Sequence, residues 1–199
     1  MLSARRVLKA NRVKICVAVI LAFSLSSCAD HDSAEGPEHR ERASHVWETF
    51  PHRLNPGNDG TPYEPCDEVN REAVVQHGWD WSSLQDAASV DGQTARGCAW
   101  KDSEVGSVWG MSQIVGNSPS LDAYRHANQA FTWFADRSIQ GRQVIVFATS
   151  TGTCATRVQS RRAGVSTIVD YARRPSPPLS EICDRAIAFT KATISRMPV

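Results

Sequence analysis

Apolar and polar residues alternate with a period of two over much of the second half of the chain, the pattern of half-buried strands. In "RGCAWKDSEVGSVWGMSQIV", Cys98 and Trp100 share one side of an alternating segment, a turn falls near Glu104 to Gly106, and a second run covers Val108 to Val115. This predicts an antiparallel hairpin. "QVIVFAT", Gln143 to Thr149, is a strongly apolar strand, and the segments from Cys154 to Ser160 and from Val165 to Tyr171 flank Arg161-Arg162-Ala163-Gly164 as a further hairpin. Cys154, Thr156 and Val158 share one face, as do Val165, Thr167, Val169 and Tyr171, while Arg157 and Gln159 point the other way. One sheet face is expected to be buried and the other wetter.

Helical spacing brackets these strands. "EPCDEVNREAVVQHG" offers a proline, early acidic residues, a stripe of Val69, Ala73 and Val74, and Gly78 as a stop, which predicts a short amphipathic helix. Ser120 to about Phe131 reads as a second helix behind a Ser120 cap. After "RRPSPP", Ser180 is expected to cap a last helix with Cys183, Ala186, Ile187, Thr190, Ile194 and Met197 on one side. Strands in the middle, helices at both ends and no βαβ rhythm predict an α+β domain with helices packed on an antiparallel sheet.

The N-terminal pattern is different. Arg5, Arg6, Lys9, Arg12 and Lys14 precede any acidic residue, and the apolar run Ile15 to Leu25 follows. At about 11 residues against the roughly 20 needed to span a bilayer, it reads as the core of an export signal. Leu25-Ser26-Ser27-Cys28 resembles the bacterial lipobox, in which the cysteine receives a diacylglyceryl group and becomes the mature N-terminus. Residues 1–27 are thus expected to be a lipoprotein signal peptide, handled by the general secretory route rather than the twin-arginine one. Residues 28–62, rich in charge, His, Gly and Pro, read as a flexible tether with a reach of roughly 30 Å. Residues 63–199 form the single predicted domain. The expected location is the outer face of the cytoplasmic membrane, held by lipid.

Processing changes the charge. The formal net charge of +1 falls to −4, because five bases leave with the signal and no acid does. A nucleic-acid partner then lacks its electrostatic rationale.

It also changes the cysteine count. Six cysteines become four once Cys16 is removed and Cys28 acylated, and an even number in an oxidising compartment predicts two disulfides among Cys66, Cys98, Cys154 and Cys183. Three pairings are open. The most local, Cys66 with Cys98 and Cys154 with Cys183, is the one expected. Zinc is the alternative, but no Cys-x-x-Cys pair occurs and the spacings are wide.

The order Pro65-Cys66-Asp67, Gly97-Cys98-Ala99-Trp100, Cys154 at a strand start and Cys183 in a terminal helix resembles the actinobacterial lipoprotein family called "domain of unknown function 3558", with its mycobacterial LprB and LprC type members. The resemblance covers about Glu64 to Pro198 and extends to the lipobox and tether. It implies an exported, acylated, disulfide-containing domain and no particular activity.

Catalytic signatures are absent from the sequence: no Gly-x-Ser-x-Gly elbow, no His-Glu-x-x-His helix and no phosphate-cradling glycine loop. His31, His39, His45 and His52 match no ligand spacing, and His77 and His126 sit among polar neighbours, so no metal and no cofactor is expected. The loop "TSTGT", Thr149 to Thr153, reads as an ordinary turn before an anion cradle. Arg157, Arg161, Arg162, Arg173 and Arg174 make the last hairpin locally basic. Trp100 and Trp109 read as core, whereas Trp79 and Trp81 in "HGWDWSS" are the candidate ligand contacts. The expected function is a non-enzymatic binding or accessory module for an envelope protein or glycan; the rival is a secreted envelope hydrolase or transferase.

Overall fold

The computed structural model describes residues 50–199; the signal segment, Cys28, His31, His39, His45 and the Val46-Trp47 pair lie outside the described residues. Within them are β1 (Trp79–Asp86), β2 (Ala95–Asp102), β3 (Trp109–Asn117), β4 (Thr132–Trp133), β5 (Arg137–Ile139), β6 (Arg142–Ser150), β7 (Thr153–Ser160) and β8 (Ala163–Tyr171). All pair antiparallel in one sheet ordered β1-β2-β3-β8-β7-β6-β4, with β5 also on β6.

The predicted hairpins are β2–β3 and β7–β8, the latter closed by only two residues, Arg161 and Arg162, between the pair Ser160 and Ala163. Arg161 takes a left-handed φ of 51° there. β5 and β6 are closed by Gln140 and Gly141, both left-handed, the turn twist that suits antiparallel strands. The join between the two halves is β3 against β8, paired from Trp109↔Tyr171 to Asn117↔Ala163.

Three α-helices are described: α1 (Arg71–Gln76), α2 (Leu121–Ala127) and α3 (Leu179–Thr193). A 3-10 turn, Glu68–Asn70, leads into α1 with the Asp67 carboxylate accepting from Val69 N, and Gly78 ends the helix at φ 79°. The predicted stripe shifts: Val69 is exposed, and buried Asn70 joins Ala73 and Val74 instead. Ser120 caps α2 as expected, its Oγ accepting from Ala123 N. Ser180 does not cap α3, which starts at Leu179 behind Pro178, two residues earlier than a Ser180 cap would place it. No helix among the described residues is long and apolar enough to cross a membrane.

α3 lies across β6, β7 and β8 on one sheet face, with α1 beside it against β1. The core there joins Trp79, Trp81, Trp100, Met111, Val146 and Val169 to Ile182, Ala186 and Phe189 of α3. A buried polar row crosses it with its groups bonded: Tyr63 Oη donates to Gln113 Oε1 (2.6 Å), Gln113 Nε2 donates to Thr167 Oγ1 and Thr193 Oγ1, and Thr190 bridges Thr167 and Thr156. α2 packs on β7 from the opposite face, where Phe147, Phe131, Trp133 and Tyr124 form an aromatic cluster.

The domain reaches back past its predicted start at Tyr63. Residues 50–62 are no tether: Arg53, Asn58 and Thr61 are buried, Asn58 Nδ2 donates to the carbonyls of Arg53 and Gln93, and Gly60 N donates to Asn117 Oδ1. Hydrogen bonds rather than apolar residues fix this segment, so its composition resembled a linker.

Gly97 explains the first residue of the Gly-Cys-x-Trp motif. A Cβ there would lie 2.0 Å from Gln113 O and 2.7 Å from Ile114 Cα, both backbone atoms of β3. Gly97→Ala is expected to cost about 3 kcal/mol or more by forcing β2 off β3, checked by urea denaturation. A loss under about 1 kcal/mol would contradict this close approach.

Candidate functional site

Buried guanidinium groups are the strongest charges in the domain, and all but one are answered by what surrounds them. Arg53 Nε donates to Asp86 Oδ2 (2.7 Å) and its NH1 to Glu64 Oε2 (3.0 Å), while its NH2 reaches Gly97 O and Cys66 Sγ. Arg96 NH1 pairs with the same Glu64 carboxylate, and its NH2 donates to the carbonyls of Thr61 and Tyr63. Two carboxylates thus neutralise two guanidinium groups. This cluster floors a 530 Å³ cleft walled by Phe50, Pro51 and Leu54. Arg142, half-buried, is bound by the carbonyls of Gln159, Ile194 and Met197 and ties down the C-terminal turn.

Arg157 on β7 is the exception. It is 4% exposed and makes no ion pair among the described residues. NH1 donates to Ser166 Oγ (2.8 Å), NH2 to Gly116 O (3.0 Å), and Nε has no partner. The guanidinium lies 4.0 Å from the centre of the Tyr124 ring of α2. Burial lowers its pKa, desolvation being the dominant cause. The space it occupies is cleared by small residues: a Cβ on Gly164 would fall 2.1 Å from Nε.

Arg157 lines a 380 Å³ recess between α2 and the sheet, whose walls include Ile114, Pro119, Ala123, Tyr124 and Ala127. It is the one charged residue among those lining this recess. A second recess of 380 Å³, on the far side of α2, is lined by Asp122, Arg125, His126, Gln129 and Trp133, with Arg125 over the Trp133 ring and paired with Asp136 (2.6 Å).

The expected site residues fare unequally. Cys66 bonds to Cys98 and Cys154 to Cys183, the most local pairing. Trp79 and Trp81 are 2% and 6% exposed, both on the α3 side of β1, so the expectation of indoles offered to a ligand is overturned: each is spent on core packing, Trp81 stacked on Trp100. Trp100 is core as expected, while Trp109 is only half-buried and carries Arg185 over its ring at 4.1 Å. The basic hairpin is no single patch. Arg161 and Arg162 sit at one end of β8 and Arg173 and Arg174 beyond the other, roughly 30 Å of strand apart, and Arg157 is buried between them. The Thr149 to Thr153 loop is a closed turn, Gly152 N donating to Ser150 Oγ and Ser176 Oγ donating to Thr151 O.

His77 packs edge-on against Phe189, where burial lowers its pKa, and His126 is exposed at the rim of the Trp133 recess. Among the described residues no hydroxyl or thiol is hydrogen-bonded to a histidine, and no three of His, Cys, Asp and Glu gather to hold a metal ion. Sequence reasoning missed the Arg157 recess. Its available signal was the set of small residues, Gly116, Gly164 and Ser166, on the strands beside an arginine in mid-strand.

No curated protein and no solved structure matches the chain. The family described as "Protein of unknown function (DUF3558)" matches over residues 24–196, a span that takes in both disulfides, the Gly97 contact and the Arg157 recess. The chain belongs to that family.

Proposed function

We propose that the chain is an exported lipoprotein, acylated at Cys28 and held on the outer face of the cytoplasmic membrane, whose domain binds a ligand or partner in the cell envelope rather than transforming one. The observation that carries the binding reading is the recess beside α2, which combines apolar walls with one fixed charge, Arg157. Such a recess orients a guest, and although Thr94, Ser118 and Tyr124 bring hydroxyls to its lining, no histidine or carboxylate lines it to activate them. The two disulfides support export, since bonds of this kind persist in oxidising compartments. The lipobox supports anchoring.

Cys28→Ala is expected to move the chain from the detergent-extracted membrane fraction to the aqueous fraction, with the domain's stability unchanged. Membrane association of that variant that still needs detergent for release would overturn the lipid anchor. Thioether-linked acyl chains on the wild-type N-terminus, read by mass spectrometry, give the complementary positive result.

A further inference from the structure

We propose that the recess beside α2 takes the anionic head of a small amphiphile, a carboxylate or phosphate monoester on a short apolar stem, with Arg157 as its counter-ion. The inference rests on the reading of the domain as a binding module and specifies the chemistry of its guest.

The argument begins with charge. A guanidinium taken out of water loses hydration worth several kcal/mol, which proteins normally offset with a carboxylate or a full set of acceptors. Arg53 and Arg96 follow that rule through Glu64 and Asp86, and Arg142 through three backbone carbonyls. Arg157 has two neutral acceptors and the face of Tyr124, and one of its nitrogens, Nε, has no partner at all. No aspartate or glutamate lines the recess to compete for it. An entering anion would supply the missing charge, and guanidinium groups bind carboxylate and phosphate oxygens with matching geometry.

The walls set the rest of the guest. Ile114, Pro119, Ala123 and Ala127 are apolar, so a bare inorganic ion would leave them unused, whereas an alkyl stem would cover them. A volume of 380 Å³ falls at the small end of ligand sites and holds a short chain rather than a polymer. The other two recesses carry their own carboxylates, Asp59 and Glu64 in one and Asp122 in the other. Gly164 completes the case, because any side chain there would push the guanidinium out of its place.

The test uses the oxidised, full-length chain carrying Cys28→Ala, titrated without detergent with decanoate, decyl phosphate and decanol. Binding is followed by calorimetry and by NMR shifts of the Arg157 Nε–H and Ile114 methyl signals. At least one anion is expected to bind about tenfold or more tighter than decanol, and the better of the two identifies the head group as carboxylate or phosphate ester. Arg157→Gln should erase that preference. Ile114→Trp, which keeps Arg157 and fills the recess, should abolish binding of all three, and Gly164→Ala should weaken the anions alone. Equal binding of decanol, no saturable binding of either anion at millimolar concentration, or an anion preference surviving in Arg157→Gln would overturn the proposal. Because the probes act on a chain without its lipid, failure here leaves the anchoring of Cys28 standing, and failure of the anchor leaves this result intact.

Discussion

Reducing both disulfides is expected to unfold the domain under conditions in which the oxidised chain is stable. Cys66–Cys98 and Cys154–Cys183 close loops with separations of 32 and 29 residues. In the chain-entropy account each restricts the unfolded chain by about 3.6 kcal/mol, so losing both removes about 7 kcal/mol from a total of roughly 5–15 for an ordinary domain. Position adds to this, since one bridge ties the turn before α1 to β2 and the other ties the second turn of α3 to β7. Urea denaturation with and without reductant measures the effect. A midpoint that moves by less than the equivalent of about 2 kcal/mol would mean that packing alone carries the fold.

Glu64→Gln is expected to destabilise the domain by about 3–5 kcal/mol, the usual penalty for breaking a buried pair from one side. The Glu64 carboxylate accepts from both Arg53 and Arg96 and from Cys66 N. Its neutral replacement would leave Arg53 with Asp86 alone and Arg96 with no carboxylate, and the amide nitrogen would bring donors toward donors. The comparison that separates this from a shape effect is Glu64→Gln with Arg96→Met added, which removes one of the stranded charges and should recover part of the loss. A single-variant cost below about 1 kcal/mol would show that water reaches the cluster through the cleft.

Much of this architecture was legible in the alternation of residues. β2, β3, β7 and β8 lie where Cys98, Trp100, Val158 and Val165 placed them, because a one-residue slip would have turned every one of those side chains outward. The disulfide pairing followed locality. Arg157 was not legible as a buried charge, since strand period assigns it only to a face, and what covers it there is α2, inserted between β3 and β4. Trp79 and Trp81 share one face of β1, and which face α1 and α3 would occupy is a matter of long-range packing. The segment from Phe50 to Pro62 was misread for a different reason: its order comes from Asn58, Arg53 and Asn117 side chains bonding distant backbone, which no periodicity reports.

The Arg53 clamp also gives the domain a mechanical entry point. Tension arriving along the chain from its N-terminal side meets Arg53 before any strand, and Arg53 grips Asp86 of β1, the Gly97 carbonyl of β2, and Glu64 two residues before the Cys66–Cys98 bridge. A pull is therefore shared by two strands and handed to a covalent crosslink rather than peeling the sheet from its edge. Under the proposed anchor at Cys28, the load path would run through the Arg53 salt bridges before it reached the sheet.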